Sequence, residues 1–343
     1  MELSSTLVMW LGFILASYSV VGNDVIQTLG TFLTSNERTQ RWYVLWGFAA
    51  SIMLATLFYG WYTGDIAYGR LSKFTMPETY PWYYLLPPLV LLSITRLGIP
   101  VSTTFMILTL FSLQDIPGDL NEMTTSLFDT DAKLGGMIQK SLMGYVVAFG
   151  SGLIIYLGIT RLTEKRFIEN EIKDRHRPYW VVAQWCSTAF LWSQWLTQDL
   201  ANIYIYLQGG NNLSGGGFAL SIFILLGLLA YIFYSKGGAV QDVVRAKTNT
   251  VDIRSATFID LIYGVILFIF KYNYLGLFQG KLPMSTTWVF IGLLAGRELG
   301  LRLNIEQKVP AKILKMVGSD LLKVFFGLVV SVVLVFIIKL MAG

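Results

Sequence analysis

Long apolar runs separated by short polar or charged breaks dominate the chain. Residues 3–22 are apolar and lead into a polar break at Gly22-Asn23-Asp24, after which a weaker apolar stretch reaches Leu33. Further runs cover 42–64, 80–114, 137–159, 179–207, 217–235, 256–303 and 317–341. About 20 apolar residues suffice for a helix to cross a bilayer, and most of these runs are that long. Lipid cannot hydrogen-bond a free backbone, so the runs are predicted to be helices. A β-barrel would alternate apolar and polar positions, whereas 217–235 is apolar on every face. The pattern predicts an all-α, polytopic membrane protein.

Two runs are interrupted. The stretch 80–114 breaks at Arg96-Leu97-Gly98-Ile99-Pro100, and 256–303 breaks at Gly280-Lys281-Leu282-Pro283. Gly and Pro end helices, and non-helical backbone at membrane depth is tolerated only inside protein or along a cavity. Each stretch is therefore expected to be a re-entrant helical hairpin that enters the membrane and turns back.

Composition removes the soluble readings. Hydrophobic residues make up 54% of the 343 and charged residues 14%, against about 25% charged in a soluble domain; the mean hydropathy is +0.57. The net charge of +5 reflects topology and not nucleic-acid binding, because the basic residues sit between apolar runs. Arg161, Lys165, Arg166, Lys173, Arg175 and Arg177 fill 161–178; Lys236, Arg245, Lys247 and Arg254 follow 235; Lys308, Lys312 and Lys315 follow the second hairpin. The positive-inside rule puts all three on the cytoplasmic side. The acidic stretch 115–136 and the uncharged, glycine-rich loop 208–216 then lie outside. These assignments close if both interrupted runs return to the side they entered. They give six full spans, two hairpins and both termini outside, in a cell membrane. The chain divides into a first repeat (1–160), a charged cytoplasmic linker (161–178) and a second repeat (179–343) of opposite orientation, the inverted-topology plan of many transporters. The apolar start, whose one charged side chain is Glu2, reads as a retained membrane segment.

The repeat is visible in the residues. The first half has Asn23-Asp24-Val25-Ile26-Gln27, then Pro100-Val101-Ser102-Thr103-Thr104; the second has Gln198-Asp199-Leu200-Ala201-Asn202, then Pro283-Met284-Ser285-Thr286-Thr287. Asp and Ser are 78 residues apart in one half and 86 in the other. An ionisable residue inside a membrane segment is a functional candidate by default. Asn23, Asp24 and Gln27, with Gln198, Asp199 and Asn202, offer carboxylate and amide oxygens suited to a hard cation; Asp24 and Asp199 are the candidate sodium ligands. Ser102, Thr103, Thr104, Ser285, Thr286 and Thr287 each follow a proline at the start of an outgoing half-helix. Hydroxyls, free N–H groups and the helix dipole make such a start a site for an anion. A single Ser/Thr triplet in a membrane helix is more often structural; the pairing of both features in both halves makes the site.

Other residues read as structural. Cys186 is a small buried packing residue, permits no intrachain disulfide and makes a cysteine metal cluster impossible. His176 is a solvated loop residue. Arg96 and Lys281 either attract an anion or snorkel to an interface. Tyr80-Pro81-Trp82-Tyr83-Tyr84 is an interfacial anchor. No motif sets a nucleophile beside a base, so an enzyme is not expected.

These motifs resemble those of the inorganic phosphate transporter (PiT) family, whose halves each carry Gly-Ala-Asn-Asp-x-Ala-Asn and a Gly-x-Pro-Val-Ser-Thr-Thr-His hairpin. Val21-Gly22-Asn23-Asp24 and Gly98-Ile99-Pro100-Val101-Ser102-Thr103-Thr104 match the first half; Asp199-Leu200-Ala201-Asn202 and Leu282-Pro283-Met284-Ser285-Thr286-Thr287 match the second. The resemblance implies an inverted repeat, a central oxyanion site, Na+ or H+ coupling with no other cofactor, and often a homodimer. The chain departs from the pattern at Gln27, at Thr197-Gln198, and at Phe105 and Trp288, which stand where the histidines would be. The expected function is cation-coupled symport of inorganic phosphate. Symport of another oxyanion such as sulfate, or a non-transporting scaffold or sensor, remain the alternatives.

Overall fold

The computed structural model describes residues 4–96, 101–114, 120–159, 167, 170–210, 213–236, 252–273, 276, 282–305 and 311–342. Among them the chain is helical and carries no strand. The first run does not stop at its polar break. Helix α1 (Ser5–Val20) passes through a π-helical turn at Val21–Val25 into α2 (Ile26–Asn36). After α3 (Trp42–Tyr62) an irregular segment leads to a 3-10 turn (Trp82–Leu85) and α4 (Leu86–Arg96). Then come α5 (Thr103–Ser112), α6 (Leu120–Phe128) and α7 (Lys133–Ile159). The second half holds α8 (Arg177–Tyr204), α9 (Gly215–Tyr234), α10 (Ile253–Tyr272), α11 (Thr286–Ile305) and α12 (Ala311–Ala342).

Among the described residues six segments are long and apolar enough to cross a membrane: Ser5–Val25, Trp42–Tyr62, Asn121–Gly158, Gly215–Tyr234, Ile253–Tyr272 and Val317–Met341. That is the inventory of a multi-pass membrane protein. The set differs from the sequence expectation in one exchange. The expected span at 179–207 falls within α8 and the turn after it, but α8 is not among the six. Gln184, Thr188, Gln198, Asp199 and Asn202 lower its hydropathy, and all of them are buried between helices. Helix α10, expected as one arm of a hairpin, has the length and apolarity of a span.

The tightest packing joins the two halves. Helix α11 lies along α7, and α5 lies along α12. Glycine makes the first contact possible. A Cβ on Gly292 would stand 2.5 Å from the Tyr145 carbonyl, and one on Gly296 would overlap the Phe149 carbonyl. Small residues at four-residue spacing let membrane helices approach at backbone distance. Helices α8 and α10 pack together, as do α3 and α9.

Three smaller expectations change. Cys186 is exposed and not buried, because it sits on the side of α8 opposite buried Gln184 and Thr188. The aromatic anchor at 80–84 divides. Trp82 is exposed, but Tyr80 and Tyr84 are buried, with the Tyr80 hydroxyl donating to the Ile205 carbonyl and Tyr206 donating to the Tyr84 carbonyl. The helix after Asp24 is continuous where a break was expected. Arg96 and His176 are exposed. Lys281, Pro100 and most of the charged stretches at 161–169, 237–251 and 306–310 lie outside the described residues.

Candidate functional site

Four helix segments meet at a buried polar centre. The π-helical turn at Val21–Val25 holds Asn23 and Asp24, both buried. Such turns are rare and recur at functional sites. Near the end of α8 lie Gln198, Asp199 and Asn202, also buried. Ser102-Thr103-Thr104 opens α5 and Ser285-Thr286-Thr287 opens α11, and all six are buried. Eleven of the twelve residues singled out in the sequence are thus brought into one region, Gln27 being buried but bonded to none of them, and the carboxylates and hydroxyls form one network.

The network has matching bonds in its two halves. The Ser102 hydroxyl accepts from the Phe105 N–H and the Ser285 hydroxyl from the Trp288 N–H, both at 3.2 Å. These caps hold the half-helix starts open toward the centre, where the first N–H groups have no partner within their own helix. The Thr104 hydroxyl donates to the Met284 carbonyl at 3.4 Å, and the Thr287 hydroxyl to the Val101 carbonyl at 3.5 Å. The segments that open α5 and α11 are thus tied to each other by the same atoms. Thr103 donates to Asp24 Oδ2 at 2.5 Å, and Thr104, with one proton, shares it between the Met284 carbonyl and Asp199 Oδ1, each at 3.4 Å. Thr287 also lies against Asp24, and Thr286 against Asp199.

The amides complete the arrangement. Asn23 Nδ2 donates to Asp24 Oδ1 at 2.7 Å and to the Val101 carbonyl at 2.8 Å. Asn202 Nδ2 donates to Asp199 Oδ1 at 2.8 Å and lies 3.2 Å from the hydroxyls of both Thr103 and Thr104. With the amide nitrogens so used, Asn23 Oδ1, Asn202 Oδ1 and Asp199 Oδ2 are buried acceptors with no aligned donor. Buried oxygens left in this way call for an explanation, and a hard cation takes such ligands. Among the described residues no group of three or more His, Cys, Asp or Glu could hold a metal. A cation here would rest on carboxylate, amide and hydroxyl oxygens, a donor set that fits sodium.

Gln27 and Gln198 differ from the other candidates. Gln27 leaves its amide nitrogen, a donor, buried without a partner. Gln198 is engaged at both ends: its oxygen accepts from Arg70 at 2.7 Å and its nitrogen donates to the Leu267 carbonyl at 3.1 Å. It positions Arg70 beside the centre.

Arg70 is the principal residue the sequence reading missed. It lies in the irregular segment between α3 and α4, yet it is only 2% exposed. Its guanidinium bonds Gln198 and the Leu282 carbonyl (2.9 Å) and acts electrostatically on Asp199. Burial pushes it down to about 10 while Asp199 pulls it up, so it stays protonated at neutral pH. Lys140 on α7 donates to the same Leu282 carbonyl at 2.9 Å. Ser141 accepts from the Ser285 N–H, and the Tyr263 hydroxyl donates to the Thr286 carbonyl at 3.0 Å. Phe105 and Trp288, each directly after its Ser-Thr-Thr triplet, touch each other with ring centres 5.4 Å apart. The chain matches no protein-family model, no curated protein and no solved structure.

Proposed function

We propose that the protein is a secondary transporter that carries an oxyanion, inorganic phosphate first among them, together with a cation. The observation that carries this reading is the pair of reciprocal hairpin bonds, Thr104 to the Met284 carbonyl and Thr287 to the Val101 carbonyl, with one carboxylate against each pair of threonines. Two half-helix starts facing one another concentrate donors and positive dipole ends on one point, which suits an oxyanion. Two carboxylates with unpartnered oxygens beside them suit a cation, and the cation lowers the electrostatic barrier to binding the anion. Coupling follows, because each ion binds well only beside the other. Arg70, held by Gln198, adds positive charge next to Asp199.

The proposal includes an inverted repeat with paired hairpins. Its support is the exchange of partners, α5 on α12 of the other half and α11 on α7 of the other half. A two-fold relation between halves would produce that exchange. Helices α4 and α5 touch each other and span roughly 15 Å each at 1.5 Å per residue, about half a bilayer core. Helices α10 and α11 also touch and are about 30 Å each. Two joined arms return the chain to the side it left whatever their depth, so the orientation argument is unchanged. Alternating access would part the tips, since the bonds between them close the centre.

Uptake of labelled phosphate into proteoliposomes, with and without an inward sodium gradient, tests the reading. Sodium-driven accumulation is expected. Competition by sulfate and other anions would redirect the substrate, and no uptake of any anion would defeat the proposal.

A further inference from the structure

Asp260 lies on α10, bonds to Thr31 and Thr188 and not to the twelve motif residues, and has no counterpart in the repeated motifs. It is fully buried. Its Oδ1 accepts from the Thr31 hydroxyl of α2 at 2.5 Å, and its Oδ2 from the Thr188 hydroxyl of α8 at 2.6 Å. The carboxyl therefore joins the two helices that carry the Asp boxes to the first arm of the second hairpin.

No positive side chain answers it among the described residues. Helix α2 has no titratable side chain. On α8, Cys186 points outward and Asp199 sits in the central site. On α10 itself, Arg254 is paired with Asp252 at 2.6 Å, Lys271 lies over the rings of Tyr68 and Tyr272, and Tyr263 bonds to Thr286. On the flanking α7 and α11, Lys140 bonds the Leu282 carbonyl and Arg297 lies over Tyr156. None of these acts on Asp260, which interacts with the two threonines. An ionised carboxylate is costly in such a place, and intramembrane carboxyls mark proton or ion paths by default.

We propose that the Asp260 carboxyl, clasped by Thr31 and Thr188, is a proton-binding site that works with the central site. The two hydroxyls suit both states. When the carboxylate is ionised, both donate to it. When a proton arrives from water as hydronium, it forms an O–H on one carboxyl oxygen and leaves water behind. The hydroxyl facing that oxygen turns to accept and donates instead to the carbonyl one turn back in its own helix. Communication with the centre is short. Tyr263 is one turn from Asp260 on the same helix, its hydroxyl holds the Thr286 carbonyl, and it feels the charge of Asp199 and Asp24. Charging or neutralising Asp260 also changes how tightly α2 and α8 are drawn to α10, the arm that must move if the tips part. The coupling role rests on the transporter reading above; the protonation does not.

The test uses the purified full chain in lipid, and infrared difference spectroscopy across a pH step. Wild type should show a carbonyl band of a buried protonated carboxylic acid that disappears at high pH. The band should be absent in Asp260→Asn and displaced, with a different pH midpoint, in Asp260→Glu. A band unchanged in both variants overturns the proposal, and if Asp260→Asn does not fold, an unchanged band in Asp260→Glu does so alone. In the same vesicles with a trapped pH dye, phosphate should drive proton influx in wild type, falling to the level of empty vesicles in Asp260→Asn. The pH dependence of phosphate binding that remains after phosphate's own ionisation is allowed for should be lost in Asp260→Asn, which holds at the wild-type acid value. Proton influx retained in Asp260→Asn overturns the coupling. A wild type that shows the band and binds no anion leaves the proton site standing and defeats the transporter reading instead.

Discussion

Thr103 and Asn202, 99 residues apart in sequence, meet at 3.2 Å in the buried centre. The contact joins the start of α5 to the Asp199 segment of α8, and through it Asp24 and Asp199 belong to a single network. The two residues are expected to be energetically coupled. In a double-mutant cycle of Thr103→Val and Asn202→Ala, the coupling should be about 1 kcal/mol in anion or cation affinity, within the range of about 0.5–3 found for residues in contact. Additive effects would mean that the contact carries no binding energy. Titration calorimetry or a thermal-shift assay with sodium and phosphate would supply the four affinities.

Removing a carboxylate should separate binding from assembly. Asp24→Asn keeps the shape and one acceptor for the Asn23 amide, while its NH2 takes the place of the oxygen that accepts from Thr103 and the Thr103 hydroxyl turns to accept; the protein is expected to insert and fold. It loses a charge that faces a cation, and charge-assisted hydrogen bonds are worth about 1.5–3 kcal/mol. Sodium affinity should therefore fall by about tenfold to a hundredfold, and coupled uptake with it. Unchanged sodium-dependent uptake would sink the assignment of Asp24.

Arg70→Ala removes two hydrogen bonds from the buried centre and leaves the Gln198 oxygen without its donor, while the Leu282 carbonyl keeps Lys140. A loss of about 3–5 kcal/mol is the scale for breaking such a buried charged contact, read as a lower melting temperature in detergent. Arg70→Lys should recover little, because one ammonium cannot span both acceptors as the planar fork does. Full recovery by lysine would reduce Arg70 to a point charge.

The twelve motif residues were legible because polar and ionisable types stand out within apolar runs, and because they occur twice. Arg70 was not, since it lies in a segment with no periodicity and its partners come from distant elements. Asp260 and Lys140 did carry a signal. Each is an ionisable residue inside an apolar run, the same mark that singled out Asp24 and Asp199, but neither is repeated in the other half. Tyr80 and Tyr84 misled because an aromatic cluster beside a membrane run looks the same whether it faces lipid headgroups or a neighbouring helix. The polar break at Gly22-Asn23-Asp24 misled for a related reason. Composition marks where a helix is weak, and a π-helical turn accommodates the weakness without ending it.

Close packing of α11 on α7 predicts a steep penalty for side chains at its glycines. Gly296→Leu would drive a branched side chain into the Phe149 carbonyl; overpacking of this kind costs about 1–3 kcal/mol, occasionally more. Gly227, on α9, has open space around it, and Gly227→Leu should leave stability nearly unchanged. The two variants are compared by the fraction of monodisperse protein after a heat step. Equal survival would mean that α7 and α11 do not approach as described.

Topology can be read with the single native cysteine removed. Cys186 is exposed on α8, so Cys186→Ser should change stability by no more than about 0.5 kcal/mol. On that background, Asp131→Cys and Ser214→Cys place thiols at exposed sites in the two regions assigned to the outside. Asp174→Cys and Ser235→Cys place them at exposed sites in the two regions assigned to the inside. A membrane-impermeant maleimide applied to intact cells should label the first pair, and the second pair only after the membrane is opened. Asp131 and Ser214 are separated by α7 and α8 alone, so that pair checks only that both helices cross. The discriminating comparison is Asp131 with Thr63, which is exposed just after α3 and is separated from Asp131 by α4, α5 and the short α6. With α1, α3 and α7 each crossing once, two arms that return the chain give the first half an odd number of crossings and the second half the opposite orientation. A Thr63→Cys thiol should then be labelled from the same side as Asp131→Cys, and labelling of the two from opposite sides would rule out the inverted arrangement.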